Sequence, residues 1–412
     1  MMSRSSSSPP VGGAVPAVFE PPPGNPRFPL FDGLRAAAAI GVLVGHAASV
    51  SGIAATTLYG HALGDLQMGV TVFFVISGFL LYRPLVSSDM AGRAHAGVMT
   101  FYRRRALRIF PGYWFALIAI SLLPGVLSVF GDGGWRYFLL IQNYSGLEFM
   151  TARGIGPAWS LSVEVAFYAV LPAFAFTMRR ATRHRASPRR RLVADLVVLG
   201  LLAAASSTAR ALLVDQIVQS GGLTNPLYFT LIFTLPFYFT WFAVGMGFAS
   251  LSAYAAETGQ TYRWLASAGR APGAVWMLAA ASFVLLVAVA PPLTSGEFTS
   301  HHLLTAVVAG ALVFPAAFPT QDGRGLPAKL LSLRWVVWLG LISYGIYLWS
   351  DPIKLALVDA GALNGSLPFL RIVVPAFCLS VVAGAFSYYV VERPFLRLKY
   401  RPGAGRRSGD DG

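Results

Sequence analysis

The chain has 412 residues, of which 55% are hydrophobic and only 12% charged, with 32 Lys and Arg against 17 Asp and Glu for a formal charge of +15. A soluble domain carries about 25% charged residues, so this composition excludes a soluble globular enzyme and leaves no room for a separate soluble domain of ordinary size. The basic excess would suit a nucleic-acid binder, but it collects in alternate segments between apolar runs, the positive-inside pattern of a membrane protein.

Residues 1–30, polar and Pro-rich at 5–10 and 21–23, are expected to be a disordered cytoplasmic N-terminus. They lack the basic-then-apolar order of a cleaved signal peptide. Next come about ten apolar runs of membrane-crossing length: residues 31–50, 66–86, 111–130, 158–178, 192–214, 226–251, 273–292, 301–319, 335–356 and 371–391. The predicted fold is all-α, a polytopic transmembrane bundle filling one membrane domain over 31–396, with a basic cytoplasmic tail over 397–412. A single cysteine, Cys378, rules out an intramolecular disulfide.

The segments 87–110, 179–191, 252–272 and 320–334 and the tail after 391 hold most of the Arg and Lys. The opposite loops, 51–65, 131–157, 215–225, 293–300 and 357–370, hold only Arg136 and Arg153. Every even-numbered run therefore ends at a basic segment, which predicts both termini in the cytoplasm. Trp135, Tyr137 and Phe138 predict that part of the longest external loop lies in the interface.

The first run carries Asp32, Arg35 and His46. Arg35 and His46 are eleven residues apart, three turns plus roughly 20°, so they share one helix face at heights about 16 Å apart. Asp32 lies on nearly the same face. His46 reads either as a buried ring donating to a carbonyl or as a functional group, since ionisable side chains inside a membrane are costly. Asp32 alone reads as a helix cap at the membrane surface. In the second run the small residues Ser77 and Gly78 read as close packing rather than as a nucleophile.

Before the third run stand Arg103, Arg104, Arg105 and Arg108. Arg105 and Arg108 share a face if the segment is helical. Guanidinium forks bind phosphate bidentately; by charge alone, a topology-setting or headgroup-binding cluster is the plainer reading. The fourth run holds Glu164 at a depth similar to that of His46. A carboxylate beside a histidine orients it; equally, Glu164 could bond another helix or its own turn. Arg210, Asp351 and Lys354 are further charges inside apolar runs. No G-x-S-x-G elbow, H-E-x-x-H pair or Walker A sequence occurs, so serine-hydrolase and zincin readings have no support, and no metal is expected.

Six stretches resemble the family-3 membrane acyltransferases and occur in that family's order: D-G-L-R then R-x₁₀-H over 31–46, G-V-x-x-F-F-V-I-S-G-F over 69–79, R-R-x-x-R-I-x-P-x-Y-W within 101–114, W-S-L-S-V-E-x-x-F-Y-x-x-L-P over 159–172, L-G-x-I-S-Y-G-I-Y-L within 339–352 and Y-x-V-E-R-P over 389–394. The resemblance implies transfer of an acyl group from acyl-coenzyme A, held on the cytoplasmic side, to a hydroxyl or amine of a carbohydrate-containing acceptor such as a cell-surface glycan, glycolipid or macrolide. It places the catalytic histidine at His46, with Glu164 and Asp32 beside it in the catalytic set. Arg35, Arg105 and Arg108 become the cofactor-binding set. Arg105 and Arg108 would hold coenzyme phosphates, and Arg35 would line the way to His46.

A sugar hydroxyl is a poor nucleophile toward a thioester. His46 would take its proton, or a side chain would first accept the acyl group. His46 is the only histidine predicted inside a run; His61, His301 and His302 are placed outside or at the membrane edge, and His95 and His184 in cytoplasmic loops. One departure stands out: many members carry a histidine before the proline of the fifth stretch, where this chain has Ser350. That suggests a divergent acceptor site. No appended esterase-like domain favours a wall polymer, and the chain looks equally like the macrolide-modifying members. The rival reading is a proton-coupled transporter or flippase with Asp32, Arg35, His46 and Glu164 on one path. A purely structural membrane component is the third.

Overall fold

The computed structural model describes residues 30–95, 97–122, 129–145, 154–182, 187–220, 225–288, 295–318 and 325–398. The N-terminus expected to be disordered, most of the basic tail and part of the 131–157 loop lie outside the described residues. Among the described residues every regular element is a helix, which agrees with the all-α prediction.

The principal helices are α1 (Leu30–Val50), α2 (Leu58–Asp65), α3 (Gly69–Met90), α4 (Val98–Ser121), α5 (Trp159–Thr182), α6 (Pro188–Gln219), α7 (Phe239–Thr258), α8 (Pro272–Ala288), α9 (Ser295–Ala317), α10 (Arg334–Leu341), α11 (Ser343–Asp359) and α12 (Pro368–Phe386). Among the described residues seven helical stretches are long and apolar enough to cross a membrane, or up to eight if the short helix Arg263–Arg270 and α8, bent by 87°, form one span. Three predicted spans differ in form. Of predicted span 111–130, residues 111–121 form the second half of α4, whose first half carries the arginines and so lowers its hydropathy. Predicted span 335–356 is broken at Ile342 into α10 and α11. The sixth span is also shorter at its start, because Pro236 sits in a 3₁₀ turn ahead of α7 and proline cannot continue a regular helix.

Small residues let the helix backbones touch. A Cβ on Gly78 of α3 would stand 2.3 Å from the Phe242 carbonyl oxygen of α7, and one on Gly245 would stand 2.0 Å from the Val75 oxygen. The two helices therefore interlock in a way that side chains cannot imitate, the small-residue packing expected of Gly78. Around that contact the rings of Phe74, Phe167 and Phe242 stack, at 4.5 Å for Phe74–Phe242 and 4.1 Å for Phe167–Phe242.

One buried charge network ties four helices. Arg191, counted by sequence among the arginines of a basic loop, is 3% exposed. Its guanidinium meets Asp89 of α3 at 3.0 Å and Asp195 of α6 at 3.1 Å, and donates to Thr182 Oγ1 of α5 at 2.9 Å. Asp195 also accepts from Ser250 of α7 at 3.0 Å.

Candidate active site

Two cavities lie along α1, one near each end. Near its start, α1, α3, α4, α5 and α11 enclose about 110 Å³, lined by Arg35, Ser77, Arg105, Arg108, Glu164, Tyr168, Tyr344 and Tyr347 among others. The i, i+3 spacing inside α4 puts Arg105 and Arg108 on the face predicted for them, and α1 brings Arg35 to the same space. Three guanidinium groups thus share one cavity with a single lining carboxylate, Glu164.

Neighbours fix each arginine. Arg35 is paired loosely with Asp32 at 3.9 Å. Arg108 stands 3.9 Å from Glu392 and 6.0 Å from the ring centroid of Tyr344. Glu392, 2% exposed, is delivered by a π-helical segment, Ser387–Glu392, that follows α12; such segments often sit at functional sites. Arg105 lies 6.0 Å over the Phe101 ring, and its buried Nε makes no hydrogen bond. Glu164 accepts from Tyr168 at 2.6 Å and closely from Ser77.

Near the other end of α1, a recess of about 220 Å³ is lined by His46, Thr71, Trp159, Arg210, Tyr238, Trp241, His301, His302 and Tyr347, with further residues. The Nδ1 atom of His46 is sealed from solvent and makes no hydrogen bond. The charges whose fields reach this imidazole are Asp351 and Lys354, which pair with each other on α11. Val70 and Tyr347 are the residues that line both spaces. Tyr347 is 5% exposed; its hydroxyl donates to the Pro157 oxygen at 2.8 Å and lies 2.7 Å from Ser160 Oγ. It is held as a partition.

The structure therefore brings Arg35, Arg105, Arg108 and Glu164 together and puts His46 in the neighbouring recess. Of the two readings open for Glu164, the second is the one seen: it bonds Ser77 of another helix and Tyr168 in its own turn, not His46. Equal depth in the membrane leaves open which way a helix turns, and α5 turns Glu164 toward the arginines. Asp351 is the carboxylate on the histidine's side. His302, placed by sequence outside or at the membrane edge, sits within a helix. Helix α9 begins at Ser295, so His302 lies two turns inside it and is 3% exposed. Asp32 is absent from both linings, and its carboxylate is more than a third exposed. Ser350 is buried and bonds its own turn at Tyr347. Sequence reasoning missed Tyr347, Glu392, Arg210 and His302 as site residues. Arg210 gave a signal as a charge within an apolar run, and Tyr347 and Glu392 stand in two of the six resembling stretches; His302 gave none. Among the described residues no cluster of His, Cys, Asp and Glu is arranged to hold a metal.

Residues 29–390 match the family model described as an acyltransferase domain. The chain is similar to O-acetyltransferase OatA of Staphylococcus aureus, with 23% identity covering 92% of this chain and 58% of that protein. It is also similar to acyltransferase MdmB of Streptomyces mycarofaciens, with 27% identity covering 92% of this chain and 94% of that one. No solved structure matches.

Proposed function

This chain belongs to the family of that acyltransferase domain, and from that premise we propose that it is a multi-pass membrane enzyme moving an acyl group from acyl-coenzyme A to a hydroxyl of a carbohydrate-containing acceptor. The observation that carries the donor is the convergence of Arg35, Arg105 and Arg108 on one cavity with a single lining carboxylate. An excess of half-buried guanidinium suits a polyanion, and planar forks suit phosphate. A space of about 110 Å³ takes a phosphate or the thioester end of the donor, and the rest of a coenzyme extends beyond it.

In this reading the thioester enters from the arginine side and the acceptor from the recess. His46 takes the hydroxyl proton as the oxygen attacks the acyl carbon. The thiolate of coenzyme A leaves. Glu164 tempers the positive charge around the donor and is a positioning residue, as is Asp32 beside Arg35. Acceptor classes that fit are cell-surface glycans, glycolipids and macrolides.

Arg108→Ala should raise KM for acetyl-coenzyme A by the loss of a charge-assisted bond, about 1.5–3 kcal/mol, with kcat changed less. The purified chain, assayed for coenzyme A release, provides the test. An unchanged KM with lowered abundance would assign the arginines to topology instead. Release abolished by His46→Gln also separates an acyltransferase from a proton-coupled carrier, which needs no thioester cleavage.

We further read the chain as ten spans with both ends in the cytoplasm, which the arginine asymmetry supports. Ser145→Cys should then react with an impermeant maleimide added outside intact cells, and Ser187→Cys should not. The reverse pattern would overturn this topology.

A further inference from the structure

The recess beside His46 holds polar groups that transfer chemistry alone does not use. Arg210 sits well inside α6, and both its Nε and Nη1 are buried without a hydrogen bond. Among the described residues it forms no ion pair; its guanidinium lies 5.0 Å over the ring of Tyr238. His302, 3% exposed, stacks on Trp241 at 4.6 Å, and neither of its ring nitrogens makes a hydrogen bond. The nearby acids are engaged elsewhere: Asp65 lies 3.0 Å from His301, and Asp351 pairs with Lys354.

A guanidinium inside a membrane span without a counterion is expensive, and its buried donors stay costly until an acceptor meets them. A bound anion relieves both costs. The indole and phenol rings beside it give apolar faces on which the C–H side of a sugar ring can lie. We propose that this recess is an acceptor subsite selective for an anionic sugar, whose carboxylate or phosphate meets Arg210 and His302 while a hydroxyl of the same molecule reaches His46. The inference rests on reading the recess as the acceptor side of acyl transfer, and it adds charge as the selecting feature.

The test is a binding measurement that needs no turnover. The purified full chain in detergent micelles is unfolded thermally with glucuronate, with glucose 6-phosphate or with neutral glucose. Both anionic sugars, or the one whose group fits, should raise the unfolding temperature, and glucose should not. Arg210→Gln should weaken that binding about tenfold or more, and Arg210→Lys should keep part of it. Anions held by the arginine cavity would be indifferent to residue 210, so dependence on Arg210 locates the site. Equal stabilisation by glucose, or anion stabilisation surviving in Arg210→Gln, would overturn the proposal. So would an Arg210-dependent shift produced by phosphatidylglycerol alone with none from the sugars, which would make the recess a lipid site. If acyl transfer itself fails to appear while the anion shift remains, the enzymatic reading falls and the subsite stands.

Discussion

Replacing His46 by glutamine should cut acyl transfer by about 10²–10⁴-fold, the range for losing a general base, while coenzyme binding and membrane abundance stay near normal. Glutamine keeps the size and hydrogen-bonding capacity of the ring but cannot take a proton near neutral pH. The recess wall is thereby preserved and the chemistry removed. His46→Ala tests the same step with the side chain truncated. A loss well beyond that range would point to an acyl-histidine intermediate, since a nucleophile cannot be replaced by water as easily as a base. Transfer assays on purified protein, with coenzyme binding measured in parallel, decide the matter. Near-normal transfer by His46→Gln at normal abundance would make the histidine structural.

The largest expected effect on stability lies away from both cavities. Arg191→Ala should destabilise the fold by about 3–5 kcal/mol, the range for breaking a buried pair and leaving its partner charge uncompensated. Asp195 would lose the guanidinium that now faces it at 3.1 Å, while Asp89, losing the same group at 3.0 Å, would keep Arg179 at 3.4 Å and His95 at 2.7 Å. Unfolding of the purified chain in detergent should shift accordingly, whereas Arg190→Ala, an exposed neighbour, should change little. Equal behaviour of the two variants would return Arg191 to the topology-setting role that the sequence suggests.

Why the sequence suggests it is plain. A run of arginines after an apolar helix sets orientation whether or not one member turns inward, and only the register of α6 against α3 and α5 selects Arg191. The same limit explains Glu164. Counting residues from a membrane surface gives height along a helix but not the direction a side chain points, so two groups at equal depth can face different cavities. By contrast, Arg105 and Arg108 were legible together because three-residue spacing fixes a shared face within one helix. The break at Ile342, which carries Tyr344, Tyr347 and Asp351 to the two spaces, has no proline or charge to announce it. The π-helical turn that presents Glu392 is likewise invisible to a pattern of apolar periods. His302 was missed for a different reason: the start of α9 was set six residues late by hydropathy, because Glu297 and the paired histidines lower the local average.

The partition at Tyr347 has an electrical consequence. The arginine cavity and the histidine recess lie toward opposite ends of a helix long and apolar enough to cross a membrane; on the topology proposed above, joining them would make a water-filled path across it. Each elementary charge that leaks along such a path dissipates about 2.3 kcal/mol per 100 mV of membrane potential. With the Tyr347 hydroxyl tied to Pro157 and Ser160, the path is interrupted by one side-chain layer. In the proposed mechanism an acyl group would need that layer to part only briefly, which would leave the membrane an insulator between turnovers.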